Sequence, residues 1–220
     1  MKQKYILFDL DGTLIDPETG ITNSIMHALK KFDIKVDKRS DLHRFIGPPL
    51  WDSFEKYYGF SNEKAKTAVT YYREYYTDRG VFENDVYEGI EDFLQALKNS
   101  GKILVIATSK PECYAKQILA HINLEQYFEH ICGSDLEGMR AKKSDVIDYA
   151  LKSCGIDDRS DVVMVGDRKH DIIGAKENNI ESIGVLYGYG DLEEMQNAGA
   201  DYIVKNLDEL KKLFEITNIT

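Results

Sequence analysis

Long apolar runs are missing from these 220 residues. No stretch approaches the roughly 20 residues that cross a bilayer, and MKQKYILFDL, Met1 to Leu10, has neither the length nor the small-residue cleavage site expected of a secretory leader. Cysteine is scarce: Cys113, Cys132 and Cys154 are odd in number and form no CxxC pair, which argues against a disulfide framework or a thiolate zinc site. All three are expected to serve packing. Excess positive charge is also absent. With 28 Lys and Arg against 38 Asp and Glu, the net charge of −10 repels phosphate backbones and anionic membranes, so neither nucleic acid nor a membrane is an expected partner. An anionic ligand must be held by a local device, a metal ion or a few placed cations. What remains, 43% apolar and 11% aromatic residues with only four prolines, suffices to order a globular chain. The cytoplasm is the expected compartment and a monomer the expected state.

Tyr5 to Leu10 is a short, almost continuous apolar run, the pattern of a strand covered on both faces in a parallel sheet. Similar runs recur at Ile103 to Ala107, Val162 to Val165, Ile183 to Leu186 and, more weakly, Tyr202 to Val204. Helical patterns fall between them. Ile90, Phe93, Leu94 and Leu97 make one stripe, Val146, Ile147, Ala150 and Leu151 another, and Gly101 and Gly155 stand where helices end. This alternation predicts an α/β fold, a doubly wound parallel sheet. Between Asp16 and Asn84 it breaks: Ser24 to Phe32, Trp51 to Tyr58 and Glu63 to Arg79 read as amphipathic helices without a buried strand. The expected division is an α/β core, residues 1–15 and 85–220, with an all-helical insertion, residues 16–84. The insertion carries eleven basic and eleven acidic residues, so the net charge lies on the core. The tyrosines of YYREYY, Tyr71 to Tyr76, and Trp51 are expected to pack inside the insertion.

In an open α/β sheet, ligands bind beyond the carboxyl ends of the strands where strand order reverses. Polar residues gather at three such ends: Asp9 and Asp11, then Thr108, Ser109 and Lys110, then Asp167 and Asp171. Arg140, Lys142 and Lys143 precede the helix that leads into the Asp167 strand. Clustered carboxylates repel one another unless a hard cation bridges them, and an oxygen-only donor set suits Mg²⁺. Asp9 and Asp167 would then be ligands, while the Thr108 hydroxyl and the ammonium of Lys143 or Lys142 would neutralise a phosphoryl group. Plainer readings stand beside these. An EF-hand fails, because its fifth and sixth positions would be Thr13 and Leu14. Ser109 followed by Pro111 reads as a helix cap and first turn. Asp167 and Asp171 could be a charged helix start, and a lone lysine is usually solvated surface. His170 reads as a surface or capping residue.

Taken in order, DLDGT at Asp9 to Thr13, TSK at Thr108 to Lys110, Lys143 and GDRKHD at Gly166 to Asp171 resemble the four motifs of the haloacid dehalogenase-like superfamily. FIGPPL and GDRKHDI look like its phosphoglycolate phosphatase and 5'-nucleotidase-like branch. The resemblance implies a Rossmann-like core with a helical cap at residues 16–84, and a Mg²⁺-dependent phosphatase acting on a small phosphorylated metabolite, phosphoglycolate or a nucleoside monophosphate. It further implies that Asp9 forms an aspartyl-phosphate and that Asp11 serves as acid and then base. Mg²⁺ would be held by Asp9, the backbone carbonyl of Asp11 and Asp167, with Asp171 supporting from behind, and the phosphate by Thr108, Ser109 and Lys143. The third motif departs from the branch: RAKKSD stands where KP is usual, so Lys143 is favoured over Lys142 by position only. Arg44, Phe45 and the Gly47-Pro48-Pro49 turn are the insertion's candidates for contacting substrate.

A phosphomutase shares these features. A phospho-receiver module shares the acidic cluster, but lacks the insertion and an acid two residues after the phosphorylated one. A dehalogenase has no use for Asp11.

Overall fold

A computed structural model describes residues 1–136, 140 and 142–216. In chain order it begins with β1 (Tyr5–Phe8), β2 (Ile15–Asp16), α1 (Glu18–Lys30), α2 (Leu50–Tyr58), α3 (Asn62–Tyr76) and β3 (Asp85–Val86). Then come α4 (Ile90–Asn99), β4 (Ile103–Pro111), α5 (Glu112–His121), β5 (His130–Ser134) and α6 (Lys143–Ser153). The chain continues with β6 (Val162–Gly166), α7 (Lys169–Glu177), β7 (Glu181–Val185), α8 (Leu192–Ala198), β8 (Tyr202–Val204) and α9 (Leu207–Leu213). It divides into two units: residues 1–15 with 86–220, and residues 16–85.

The larger unit is built on a six-stranded sheet in the order β5-β4-β1-β6-β7-β8, every neighbouring pair parallel. Strand β1 sits between β4 and β6, with Phe8 opposite both Ile106 and Val165. The chain winds outward from β1 in both directions, so strand order reverses there, which is where an α/β sheet opens a crevice at its carboxyl edge. Successive β1 side chains point to opposite faces. Leu7 joins Val105 and Met164 against Val146, Ile147 and Ala150 of α6. Phe8 packs edge-on against Phe93 of α4 at 6.3 Å and against Phe128 at 6.5 Å. Fully burying one such aromatic contributes roughly 2 kcal/mol. Among the described residues no helix is long and apolar enough to cross a membrane.

Two local expectations are corrected, and one strand is added to those read from the sequence. Strand β4 does not stop at Ala107 but continues through Thr108, Ser109 and Lys110 to Pro111, and α5 starts at Glu112; Ser109 is therefore strand, not a helix cap. Strand β5 carries no long apolar run, because it is the sheet's edge and only its last three residues are buried. Cys113 is exposed, whereas Cys132 is buried and Cys154 half-buried, so the packing role assigned to all three does not hold for the first.

The smaller unit is helical. Helix α2 is stopped by Gly59 in the left-handed region (φ 63°), and α3 is capped by Ser61, whose side chain accepts the Lys64 N–H. Its core is aromatic: Phe45 packs on Phe54 at 5.2 Å, Phe54 stacks on Phe60 at 5.9 Å, and Tyr72 stacks on Tyr76 at 5.1 Å. Trp51 is only half-buried, because the buried side of α2 is carried by Ser53 and Phe54. Helix α1 begins at Glu18, six residues before the expected Ser24, where the Asp16 carboxylate accepts the Glu18 N–H at 2.9 Å.

Candidate active site

The crevice at the carboxyl end of β1 is lined by carboxylates. Asp9 follows β1 directly, its N–H bonded to the Val165 carbonyl of β6, and the residue is 8% exposed. Asp167 follows β6 and is 1% exposed, and Asp171 in the first turn of α7 is fully buried. One oxygen of each of Asp9, Asp167 and Asp171 lies within 4.8 Å of the others. The sheet register enforces this crowding, since β1 and β6 are paired neighbours that end at the same level.

Lys143, the first residue of α6, reaches into the cluster. Its Nζ lies 2.9 Å from Asp9 Oδ1 and 2.8 Å from Asp171 Oδ1, and donates to the Ala107 carbonyl at 3.0 Å. Burial disfavours its charge, but Asp171 and Asp9 outweigh that and hold its pKa above the ordinary lysine value. Lys142 is exposed at the α6 N-cap. Asp171 Oδ2 accepts the Arg168 N–H at 3.0 Å, so both of its oxygens are engaged by the protein. On Asp9, Lys143 and the Leu10 N–H at 2.8 Å both fall on Oδ1.

Burial raises the carboxyl groups of Asp167 and Asp171 above their ordinary values. Asp167 is pushed well up by burial and by the Asp171 and Asp9 charges, and Asp171 is pushed up to about 6 by burial against the opposing pull of Lys143. A buried oxygen-only cluster whose members repel one another is a donor set that fits a hard divalent cation. Its polar partners are already in place around it.

Asp11 stands apart from that cluster. Its Oδ2 lies 3.0 Å from Lys110 Nζ, and its buried Oδ1 has no hydrogen-bond partner among the described residues. Burial raises its pKa, with Lys110 pulling the other way. Such a carboxyl, held by one oxygen and unsatisfied at the other, is equipped to pass a proton. The chain turns at Gly12 (φ 78°), where an added Cβ would sit 2.1 Å from Asp167 Oδ2. Only glycine permits that approach.

The larger unit thus brings together Asp9, Asp11, Lys143, Asp167 and Asp171. Thr108 is buried, its hydroxyl accepting the Lys110 N–H at 3.2 Å, and Ser109 beside it is half-buried. His170 is half-buried, and its pKa is lowered by burial and by Arg168 and Lys169. In the smaller unit, Arg44 lies 4.3 Å from the Tyr57 ring centre and Gly47 is exposed with φ 102°. Phe45 is 1% exposed and forms the aromatic core of that unit, so it has no face left for a ligand, which corrects its place among the substrate contacts.

Two partners escaped the sequence. Lys110 closes the TSK motif, which by itself gives the lysine no role. The loop Tyr187 to Gly190 follows β7, and its Tyr189 N–H binds Asp167 Oδ2 at 2.8 Å. The strand-end rule that found Asp9 and Asp167 would have found it too, but YGYG reads as an ordinary turn.

The sequence matches the profile of the family described as haloacid dehalogenase-like hydrolase over residues 6–185. It is 40% identical to a 5'-nucleotidase of Pseudomonas aeruginosa over 210 residues, 96% of this chain and 95% of that one. It is 36% identical to the tyrosine-protein kinase PtkA of Mycobacterium tuberculosis, spanning 94% of this chain and 71% of that protein. Among solved structures, one described as a predicted phosphatase from Clostridium acetobutylicum superposes with a TM-score of 0.93 at 52% identity, covering 98% of this chain and all of that one.

Proposed function

Since the chain belongs to the haloacid dehalogenase-like hydrolase family and is a phosphatase, we propose that it hydrolyses a small phosphomonoester through an aspartyl-phosphate on Asp9, with Mg²⁺ as cofactor. The observation that carries this reading is the buried cluster of Asp9, Asp167 and Asp171 with Lys143 Nζ 2.9 Å from Asp9.

Asp9, Asp167 and the Asp11 carbonyl are the groups assigned to the cation, and Asp171 supports them by holding Lys143. When bound, the cation offsets the carboxylate charge and draws charge from the phosphoryl oxygens. With Oδ1 of Asp9 occupied by Lys143 and the Leu10 N–H, Oδ2 is the oxygen assigned to attack phosphorus. The bond to the ester oxygen breaks, and that oxygen takes a proton from Asp11. Asp11, now ionised, accepts a proton from water as the water oxygen attacks the same phosphorus, releasing phosphate and restoring Asp9. Lys143, Thr108 and the Ser109 backbone hold the phosphoryl oxygens in both steps.

Nucleoside 5'-monophosphates and phosphoglycolate are the candidate substrates, and the similarity to a protein named 5'-nucleotidase supports the first. Selection among esters is assigned to residues 16–85, with Arg44 and Gly47 as its exposed candidates. Phosphate release from p-nitrophenyl phosphate, followed by a panel of phosphate esters, tests the reading. Turnover should require Mg²⁺, stop with EDTA and vanish in Asp9→Asn. Undiminished turnover in EDTA or in that variant would refute it.

A further inference from the structure

Asp167 is gripped from a side that no motif describes. The loop Tyr187 to Gly190 leaves β7 and folds across the segment that carries Gly12 and Thr13. Tyr189 N–H donates to Asp167 Oδ2 at 2.8 Å, and the Tyr187 hydroxyl donates to the Thr13 carbonyl at 3.0 Å. Thr13 Oγ1 in turn stands 3.5 Å from Asp167 Oδ1. The ring of Tyr187 is fixed edge-on against Tyr87, 5.4 Å between centres.

The two glycines show how tight the fit is. A Cβ at Gly188 would lie 2.2 Å from the Gly12 carbonyl oxygen and 2.5 Å from Asp167 Cβ. At Gly190 it would lie 2.0 Å from the Asp167 carbonyl oxygen. Each clash is with backbone or with a side chain close to its own backbone, so nothing can yield cheaply. Any other residue would lift the loop off Asp167.

We propose that the loop Tyr187 to Gly190 is a positioning clamp that sets the rotamer of Asp167 for the divalent cation. Tyr189 N–H holds the carboxylate, the Tyr187 hydroxyl pins the loop to the Asp9 to Thr13 segment, and the glycines permit the contact. A carboxylate locked before the cation arrives spends less conformational freedom on binding it, and groups that orient a ligand in this way typically change affinity by about 10- to 100-fold. The proposal rests on the reading of this cluster as a cation site.

Direct binding of Mn²⁺ to the metal-free protein, followed by electron paramagnetic resonance without substrate, separates the two ideas. If the wild-type protein binds no Mn²⁺, the cation site itself is refuted and the clamp with it. If the wild type binds, Gly188→Ala should weaken binding by about tenfold or more, and Tyr187→Phe should weaken it less but in the same direction. Tyr187→Phe keeps the ring and its packing, so it decides the matter if Gly188→Ala does not fold. A distant core variant, Leu210→Ala, should lower Tm while keeping wild-type affinity. Wild-type affinity in folded Gly188→Ala and Tyr187→Phe, or only in the latter if it alone folds, would overturn the clamp, as would a loss in Leu210→Ala equal to theirs.

Discussion

Lys110 Nζ and Asp11 Oδ2 form an ion pair 3.0 Å long between the end of β4 and the turn after β1, with 5% and 14% of the two side chains exposed. The pair ties the proposed proton carrier to the neighbouring strand by one oxygen only.

Replacing Lys110 with Met, which keeps the apolar stem, should lower kcat by at least about tenfold, a part of the 10²- to 10⁴-fold that general acid–base catalysis supplies. Lys110 is the main influence that opposes burial at Asp11, so without it the carboxyl holds its proton to higher pH. Where hydrolysis of the phospho-enzyme limits turnover, the acidic limb of the kcat profile moves upward. A pH series on both proteins checks this; an unmoved limb would contradict it.

Lys143→Ala and Lys142→Ala should behave oppositely. The first leaves Asp9 and Asp171 buried without their shared cation, a change that costs about 3–5 kcal/mol at other buried pairs, and should remove nearly all turnover. The second alters an exposed N-cap residue and should leave kcat/KM within about twofold, as surface substitutions usually do. Steady-state kinetics beside thermal melts distinguish them.

The carboxyl cluster makes stability depend on pH and on the cation together. Asp171 titrates at about 6 in the folded protein because of burial opposed by Lys143, whereas an unfolded carboxyl titrates near ~3.9. The native state therefore keeps a proton that the unfolded chain releases. This contribution is full below about pH 3.9 and is lost as pH rises toward 6. Asp167 and Asp11 are raised as well and act in the same direction. A divalent cation competes with those protons, so the Mg²⁺-induced rise in Tm should be larger at about pH 8 than at about pH 5. Equal shifts in scanning fluorimetry would argue against cation binding at this cluster.

Gly12→Ala should be far worse than Gly101→Ala. Both glycines have positive φ, 78° and 81°, and both substitutions bring a backbone cost of roughly 1–2 kcal/mol. At Gly101 nothing lies within 4 Å of the added carbon, but at Gly12 it would collide with Asp167 Oδ2. Gly12→Ala is expected to melt below Gly101→Ala, with phosphatase activity lost only in the first.

Sequence periodicity was most informative where a residue's environment repeats along the chain. The run Tyr5 to Leu10 marks a strand covered on both faces, and the carboxylates behind it mark its end. The edge strand β5 has no such signature, because His130 and Ile131 are only half-buried. Thr108 to Lys110 looked like the start of a helix, since a hydroxyl before proline satisfies local capping rules. Pairing with β5 carries the strand on instead, with a shift in register after Thr108. The Lys110 to Asp11 pair depends on the β1 to β4 register, which brings residues 99 apart in sequence together, and no local pattern encodes that.

The central place of β1 has a consequence during synthesis. Its two partners, β4 and β6, lie at Ile103–Pro111 and Val162–Gly166, so the first strand made waits for both of them before it is enclosed. Until the ribosome has passed Gly166, at a pace of about 5–20 residues per second, β1 has an open flank and Asp9 has neither Asp167 nor Asp171 beside it. A nascent or truncated chain short of that point should be chemically silent, whatever helices it has already formed. Contacts this distant in sequence also slow folding, so the appearance of activity in a refolding or translation time course should report closure of the sheet's centre and lag behind the gain of helical signal.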